Sequence, residues 1–389
     1  GTFGTMGRYV SSQSAGTDVL KTGIINVDNT MVFGGHRAVS GTDDDMVIVK
    51  LNYDGTPDGT FGSGGVATVS NGVALESVRG VFRDGTGYLV VGTLQGSFSS
   101  NPDVGVARLN ADGTLDTNFG SNGLSTHDNG GWEYVEGVAR DSSGRLLAVG
   151  RTSATGAGPH DLFIMRMGAD GVVDGTFGTS GWTTWNGGGD ETAQSIAIDT
   201  TSSDLVVLGS NGADTVVLKF LSSTGALWTG FGTGGVATVD LSGAGRGEQA
   251  QRLEVLSTDL YIVGRADNAT NSDVVMAKLD AAGGLDPTFG VGGRLLIDRG
   301  GNETAFALTS TGSGNWYVGG NAGTAMFIAR VTPGGTLDST FAANGVFENS
   351  FSSAGVAACL LTDVTSDIVA VGSVGAPGAE DLAVVRINP

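Results

Sequence analysis

The chain has 389 residues, of which 68 are glycine, 7 are proline and 40% are apolar, too much apolar material for a disordered glycine-rich polymer. Forty acidic against 20 basic residues give a formal net charge of −20, which argues against nucleic acid as a partner, because phosphate recognition needs a basic footprint. No apolar run reaches the ~18 residues of a membrane span, so no membrane insertion is expected.

The first landmark from the N-terminus is Phe3-Gly4. Phe-Gly returns at Phe61, Phe119, Phe177, Phe231 and Phe289, and Phe341-Ala342 takes the next slot, in steps of 58, 58, 58, 54, 58 and 52 residues. Self-similarity at a near-constant period is the signature of a repeat architecture. Ahead of the internal copies stands a second motif, fullest at 110–116 (Asn-Ala-Asp-Gly-Thr-Leu-Asp) and echoed at 52–58, 168–174, 280–286 and 332–338. The copy ahead of Phe231 is degenerate, with Trp228 where the others carry Asp.

Within one unit the pattern predicts four strands. In the second copy these are strand A at 78–83, a turn at 84–87, strand B at 88–93, strand C at 103–109 and strand D at 123–127. Each is short, rich in β-branched residues and bounded by Gly, Asp or Asn, with no helical period. Runs such as 146–149, 205–208 and 260–263 are apolar without alternation, as burial on both faces requires. The expected fold is all-β: a seven-bladed β-propeller with four antiparallel strands per blade. The last copy ends after its strand C, and the chain opens on the lead-in to a strand D. The N-terminal strand is therefore expected to complete the last blade, closing a ring where a solenoid would need caps. The chain then forms a single domain over 1–389, with blades at about 12–70, 71–128, 129–186, 187–240, 241–298, 299–350, and 351–389 plus 1–11. A ring closed this way needs no partner chain, so a monomer is expected. No segment reads as a signal peptide.

The string NADGTLDTNFGSNG at 110–123, with VARDSSGRLLAVG at 138–150, resembles the bacterial delta-60 repeat of secreted and surface proteins, common in myxobacteria and their relatives. The resemblance covers essentially the whole chain. It implies a β-propeller and an extracellular or cell-envelope setting, and it brings no catalytic residues. The spacing is longer than that of a WD-type repeat, and no Gly-His…Trp-Asp signature occurs.

Strand C carries one basic residue per copy: Lys50, Arg108, Arg166, Lys219, Lys278, Arg330 and Arg386. The repeated Asp of the C–D connection (Asp58, Asp116, Asp174, Asp286, Asp338) is its expected partner in a partly buried ion pair. The Asp-Gly loops lack the late bidentate carboxylate of a calcium loop and read as turns. Cys359, the single cysteine, allows no intrachain disulfide, and its apolar surroundings at 356–361 predict a buried core thiol.

At the start of strand A six copies carry an acid: Asp18, Glu76, Glu133, Glu191, Glu248 and Glu303. Strand A is innermost in a propeller blade, and two readings stand. The carboxylates form an acidic ring at one mouth of the central channel, a candidate seat for Ca²⁺ or a cationic ligand group. Alternatively, each accepts N–H bonds from the adjoining D–A loop. Three residues further on come Lys21, Arg79, Glu136, Gln194, Gln251 and Phe306, a set uneven enough for a channel that has departed from sevenfold symmetry.

Antiparallel alternation puts the D–A and B–C loops on one face. The B–C loops differ in length and content (96–102, 153–160, 211–214, 266–272), whereas the C–D turns keep one sequence, which marks the loop face as free to specialise. Trp132, Tyr134, Trp185, His160, Phe98 and Arg151 map there, around the second and third blades, as candidate ligand-binding residues. Aromatic rings with polar neighbours can stack on sugars, or they can plug the space between blades. Trp182 and Trp316, within strands, are expected in the core. His36, His127 and His160 lack metal-ligand spacing, and neither Gly-x-Ser-x-Gly nor Gly-x-Gly-x-x-Gly occurs. The expected function is non-catalytic recognition or adhesion, extracellular or at the bacterial envelope, with a glycan or cell-surface protein bound on the loop face. The alternatives are a carbohydrate-active hydrolase or lyase with an acidic site at the channel mouth, and a structural spacer of a surface assembly.

Overall fold

Gly and Asp turns cut the chain into apolar stretches of four to ten residues, too short to bury a core singly, so each must pair and each pair must stack. The computed structural model describes residues 3–40, 43–70, 76–95, 101–243, 246–311, 314–351, 354–376 and 378–388. These form seven four-stranded antiparallel sheets, the blades of a seven-bladed β-propeller, with no helix among the described residues. No helix is long and apolar enough to cross a membrane. Blade 2 runs Glu76–Asp84, Gly87–Gln95, Pro102–Leu109 and Leu124–His127, so strands A to C each extend beyond the stretch that the sequence predicts. The innermost strands A of the remaining blades are Asp18–Ile25, Trp132–Arg140, Thr192–Ile198, Glu248–Leu256, Glu303–Ser310 and Ala354–Thr362. Blade 7 takes its outer strand from the N-terminus: Arg8–Ser11 pairs with Ala379–Ile387, Arg8 opposite Val385 and Ser11 opposite Leu382.

The core is divided into seven apolar clusters, each between two neighbouring blades. The Phe of every Phe-Gly motif enters one of them, and Phe61, Phe177, Phe231 and Phe289 are fully buried. Each ring sits on the glycine of the next blade's C–D turn. A Cβ on Gly283 would stand 2.8 Å from the Phe231 ring, and one on Gly225 3.0 Å from Phe177. The glycine after the Phe then donates its N–H to a carbonyl of that same turn: Gly62 to Asp112 at 2.7 Å, Gly178 to Thr224 at 2.9 Å, Gly232 to Ala282 at 3.0 Å. The two motifs that repeat most faithfully are thus the two halves of one blade-to-blade latch.

The basic residue of strand C finds its Asp in all five copies that have one, from Lys278–Asp286 at 2.8 Å to Arg108–Asp116 at 3.6 Å. In the degenerate copy Lys219 pairs with Asp199 of the A–B turn at 2.6 Å and lies 4.8 Å from the Trp228 ring centre. Arg386 pairs with Asp363 and Asp367 and stacks on Tyr53 of blade 1 at 4.1 Å, tying the last blade to the first. Trp182 and Trp316 are buried, as expected. Cys359 departs from expectation: it is half-buried, because it follows an irregularity in strand A that turns this stretch toward the channel.

Truncating Phe177 to Ala removes a fully buried ring from the latch and is expected to lower the unfolding free energy by about 3–5 kcal/mol in urea titration. A loss below about 1 kcal/mol would contradict the latch.

Candidate functional site

Strand A of every blade carries a β-bulge. The pairing with strand B slips by one residue at Lys21, Arg79, Glu136, Gln194, Gln251, Phe306 and Ala358. Opposite each slip strand B presents a glycine: Gly35, Gly92, Gly150, Gly209, Gly264, Gly320 or Gly372. A Cβ at any of these would collide with a strand-A carbonyl, that of Tyr134 in the case of Gly150. A bulge re-aims the side chain it carries. All seven bulge residues line one cavity of about 540 Å³ to which every innermost strand contributes, the central channel of the ring. The uneven set that the sequence singled out is therefore brought to one place, and Ala358 is its seventh member. The repeated strand-B glycine was a visible signal for the bulge that sequence reasoning did not use.

The channel wall is polar on one side and apolar on the other, where Phe306, Ala358 and Leu360 lie. Arg79 and Glu136 form an ion pair at 2.8 Å. Burial, and then the Arg79 charge, push the Lys21 ammonium below its ordinary pKa, with Glu136 acting the other way. His36, beside these cations, is held down to about 4 by burial and by the charges of Lys21 and Arg79, so its ring is neutral at physiological pH. Two buried polar atoms of the wall, Arg79 Nε and Gln194 Oε1, have no hydrogen-bond partner among the described residues. A groove of about 400 Å³ shares Glu136, Gln194 and Gln251 with the channel and extends it past Arg151, Asp190 and Arg265, so the two form one continuous recess.

The six acids at the start of strand A are not among the residues lining the channel cavity. Asp18, Glu76, Glu133, Glu191 and Glu303 are buried and Glu248 half-buried. Asp18 Oδ2 accepts the N–H of Gln13 at 2.6 Å and of Ser14 at 2.9 Å. Glu248 Oε2 accepts those of Leu241 and Ser242, and Glu303 those of Arg299 and Gly301. Glu191 holds Gly189, and Glu133 holds Asn129 and the Thr152 hydroxyl. Each of these five carboxylates fastens the D–A loop beside it, the second of the two readings.

Two of the acids also belong to groups of three carboxylates: Asp103, Asp128 and Glu133 at the junction of blades 2 and 3, and Asp273, Asp298 and Glu303 at that of blades 5 and 6. Within each group the oxygens lie within 4.8 Å of one another, which is where a divalent cation would find ligands. Three side chains fall short of the six to eight oxygens that Ca²⁺ takes. Burial and the neighbouring Asp128 push the Asp103 carboxyl up to about 6, and Asp103 Oδ1 is a buried acceptor without a donor among the described residues. An Asp five residues before the basic residue of strand C recurs at Asp45, Asp161, Asp214 and Asp381, a pattern in the sequence that was also passed over.

The candidate ligand-binding residues do not form one cluster. Trp132 and Tyr134 are neighbours, with ring centres 6.3 Å apart, and the Arg151 guanidinium lies 4.9 Å over Tyr134. Gly156 of the B–C loop rests against the Trp132 indole, so one face of that ring is covered by the protein itself. Trp185 packs on the apolar cluster between blades 3 and 4. His160 binds Asp190 through its N–H at 2.8 Å and its ring Nδ1 at 2.7 Å, and these bonds hold the Asp190 carboxyl below its usual range. Of the six, Arg151 alone lines the groove, and Phe98 lies outside the described residues.

A family described as a domain of unknown function, DUF5122, beta-propeller, matches residues 28–61, 87–119 and 312–341. The likeness is to a propeller. No curated protein matches the chain in sequence. Among solved structures, the periplasmic gluconolactonase of Pseudomonas aeruginosa is similar at TM-score 0.54 and 10% identity, over 95% of this chain and 100% of the other. A protein from Lactobacillus plantarum is similar at TM-score 0.54 and 12% identity, over 92% and 99%. The Dos1 propeller matches at TM-score 0.50 and 8% identity, over 97% and 94%. At such identities these likenesses show the fold alone.

Gly150→Ala is expected to destabilise blade 3, because the new methyl has no space against the Tyr134 carbonyl; a Tm unchanged within about 1 °C would contradict the bulge constraint. Asp103→Asn tests the carboxylate group. With its pKa raised in the folded protein, Asp103 favours folding at low pH and loses that contribution as pH rises through about 6. The variant is therefore expected to have the higher Tm at pH 7.5, with the gap closing toward pH 4. A cation held by these oxygens would reverse the sign in millimolar Ca²⁺.

Proposed function

We propose that this chain is a non-catalytic recognition propeller of the delta-60 type, set outside the cell or in the bacterial envelope, which binds a glycan or a surface protein on its D–A/B–C loop face. The observation that carries the reading is the recess. A frame of seven near-identical blades delivers seven bulge residues to one channel, and only the residue types differ. The groove beside it opens among diverged loops, with Arg151, Asp190 and Arg265 on its wall. Clefts lined in this way, mostly pre-formed and with a few fixed polar groups, are what ligand sites look like. The carboxylates at the head of strand A accept loop N–H groups, and Glu136 is paired with Arg79, which supports a structural role for them over an acid–base one. The delta-60 resemblance and the net negative charge agree with an envelope setting.

A glycan array and a panel of purified bacterial surface proteins test the reading. Wild-type protein is expected to bind a member of one set, and Arg151→Ala to weaken that binding about tenfold or more while the Tm moves by only a few degrees. Absence of binding to either set, or binding untouched by Arg151→Ala and Trp132→Ala together, overturns it. Release of products from a polysaccharide that stops in Glu133→Gln would make the protein an enzyme instead.

A further inference from the structure

We propose that the polar side of the central channel is a binding site for a singly charged carboxylate on a hydroxyl-rich ligand, that is, a sugar acid such as a uronic acid, with Lys21 and Arg79 as counter-charges. The proposal names a ligand class for the recess described above, and it rests on that recess being open to ligands.

The first ground is charge. In a chain of net charge −20, the lining of the channel runs the other way. Lys21, Arg79 and Arg252 face it against Glu136 and Glu254, which leaves one positive charge. Glu136 is taken up by Arg79, and Glu254 pairs with Arg252 at 3.3 Å. Lys21, half-buried on the channel wall, is left without an ion pair or hydrogen bond among the described residues, and Glu136, the opposite charge that acts on it, is already paired with Arg79. A partly desolvated cation with no ion-pair partner of its own gains from a bound anion. One surplus charge suits a monoanion better than a doubly charged phosphate.

The second ground is the pair of orphan atoms. Arg79 Nε is a donor with nothing to donate to, and Gln194 Oε1 is an acceptor with nothing to accept. Buried polar atoms are satisfied in the great majority of cases, and those left open ask for an outside partner. A carboxylate oxygen answers the Arg79 donor, and a hydroxyl answers the Gln194 acceptor. Gln251 stands next to Gln194 around the ring and can serve a second hydroxyl, while Phe306 across the channel offers an aromatic face to the C–H side of a sugar ring. A volume of about 540 Å³ admits a mono- or disaccharide. His36 stays neutral beside the cations and adds no charge of its own.

Isothermal titration of the full chain with D-glucuronate, D-galacturonate, a digalacturonate and D-glucose tests the proposal. At least one of the acids is expected to bind and glucose is not, and Lys21→Met and Arg79→Gln are each expected to weaken the acid about tenfold or more. Lys21→Met leaves the Arg79–Glu136 pair in place, so it keeps the test open if Arg79→Gln fails to fold. The digalacturonate binding while both monosaccharides fail would support the site as one for a chain terminus. If no acid binds, or if glucose binds equally well, or if acid binding survives both substitutions, the carboxylate site is wrong. Binding of neutral glycans that depends on Arg151 would then still stand for the loop face, so the two failures can be told apart.

Discussion

The constraint on which this structure turns is a close approach between two backbones. In each blade the innermost strand carries one extra residue, and the strand beside it can accommodate the resulting bulge only by presenting a glycine at that point. The consequence reaches beyond geometry. A regular strand would point alternate side chains into the two neighbouring blades, where every position is bound by packing. The bulge takes one residue per blade out of that alternation and turns it to the axis. Seven such residues meet in the channel, and apart from the Arg79–Glu136 pair, which joins blades 2 and 3, no ion pair among the described residues ties them to another blade.

The repeat thus separates two kinds of position. On the C–D side the latch of Phe, glycine and carbonyl joins neighbouring blades at five of the seven junctions among the described residues, and the strand-C cation and its Asp brace the turn that receives the ring. On the opposite side a carboxylate at the head of strand A holds the D–A loop by its N–H groups. The strand-C device tolerates local substitution when the chemistry is replaced: Lys219 trades its Asp for Asp199 and the Trp228 ring, and Arg386 recruits Tyr53 from the blade across the closure. With the frame secured at both ends of each blade, the bulge positions are free to become Lys, Arg, Glu, Gln, Phe or Ala.

Much of this was legible in the sequence, for reasons that differ by residue. The blades were legible because Phe-Gly and the Asp-Gly turn recur at nearly fixed spacing, and the closure because strand D of the last copy is supplied by the first residues of the chain. The bulge residues were visible as an uneven column three places after the acids, but their cause was not drawn from the repeated strand-B glycine. The acids were harder. Their regularity fitted both a cation ring and a structural latch, and the distances to Gln13, Leu241 or Gly301 support the latch. The aromatic residues of the loop face left two readings open, stacking on a sugar or plugging the space between blades. Composition cannot tell a ring that faces solvent from one that is covered by Gly156 or wedged between blades, as Trp132 and Trp185 are.

The central claim is that the shared positions build the ring and the bulge positions bind. Replacing Lys21, Arg79, Glu136 and Phe306 together by Gln, so that the polar bulges become alike, separates the two roles in a single thermal-unfolding measurement made with and without a uronic acid. The account expects the unliganded Tm to stay within a few degrees of wild type, while the stabilisation by the acid disappears. A variant that unfolds far below wild type, or one that the acid still stabilises, would contradict it.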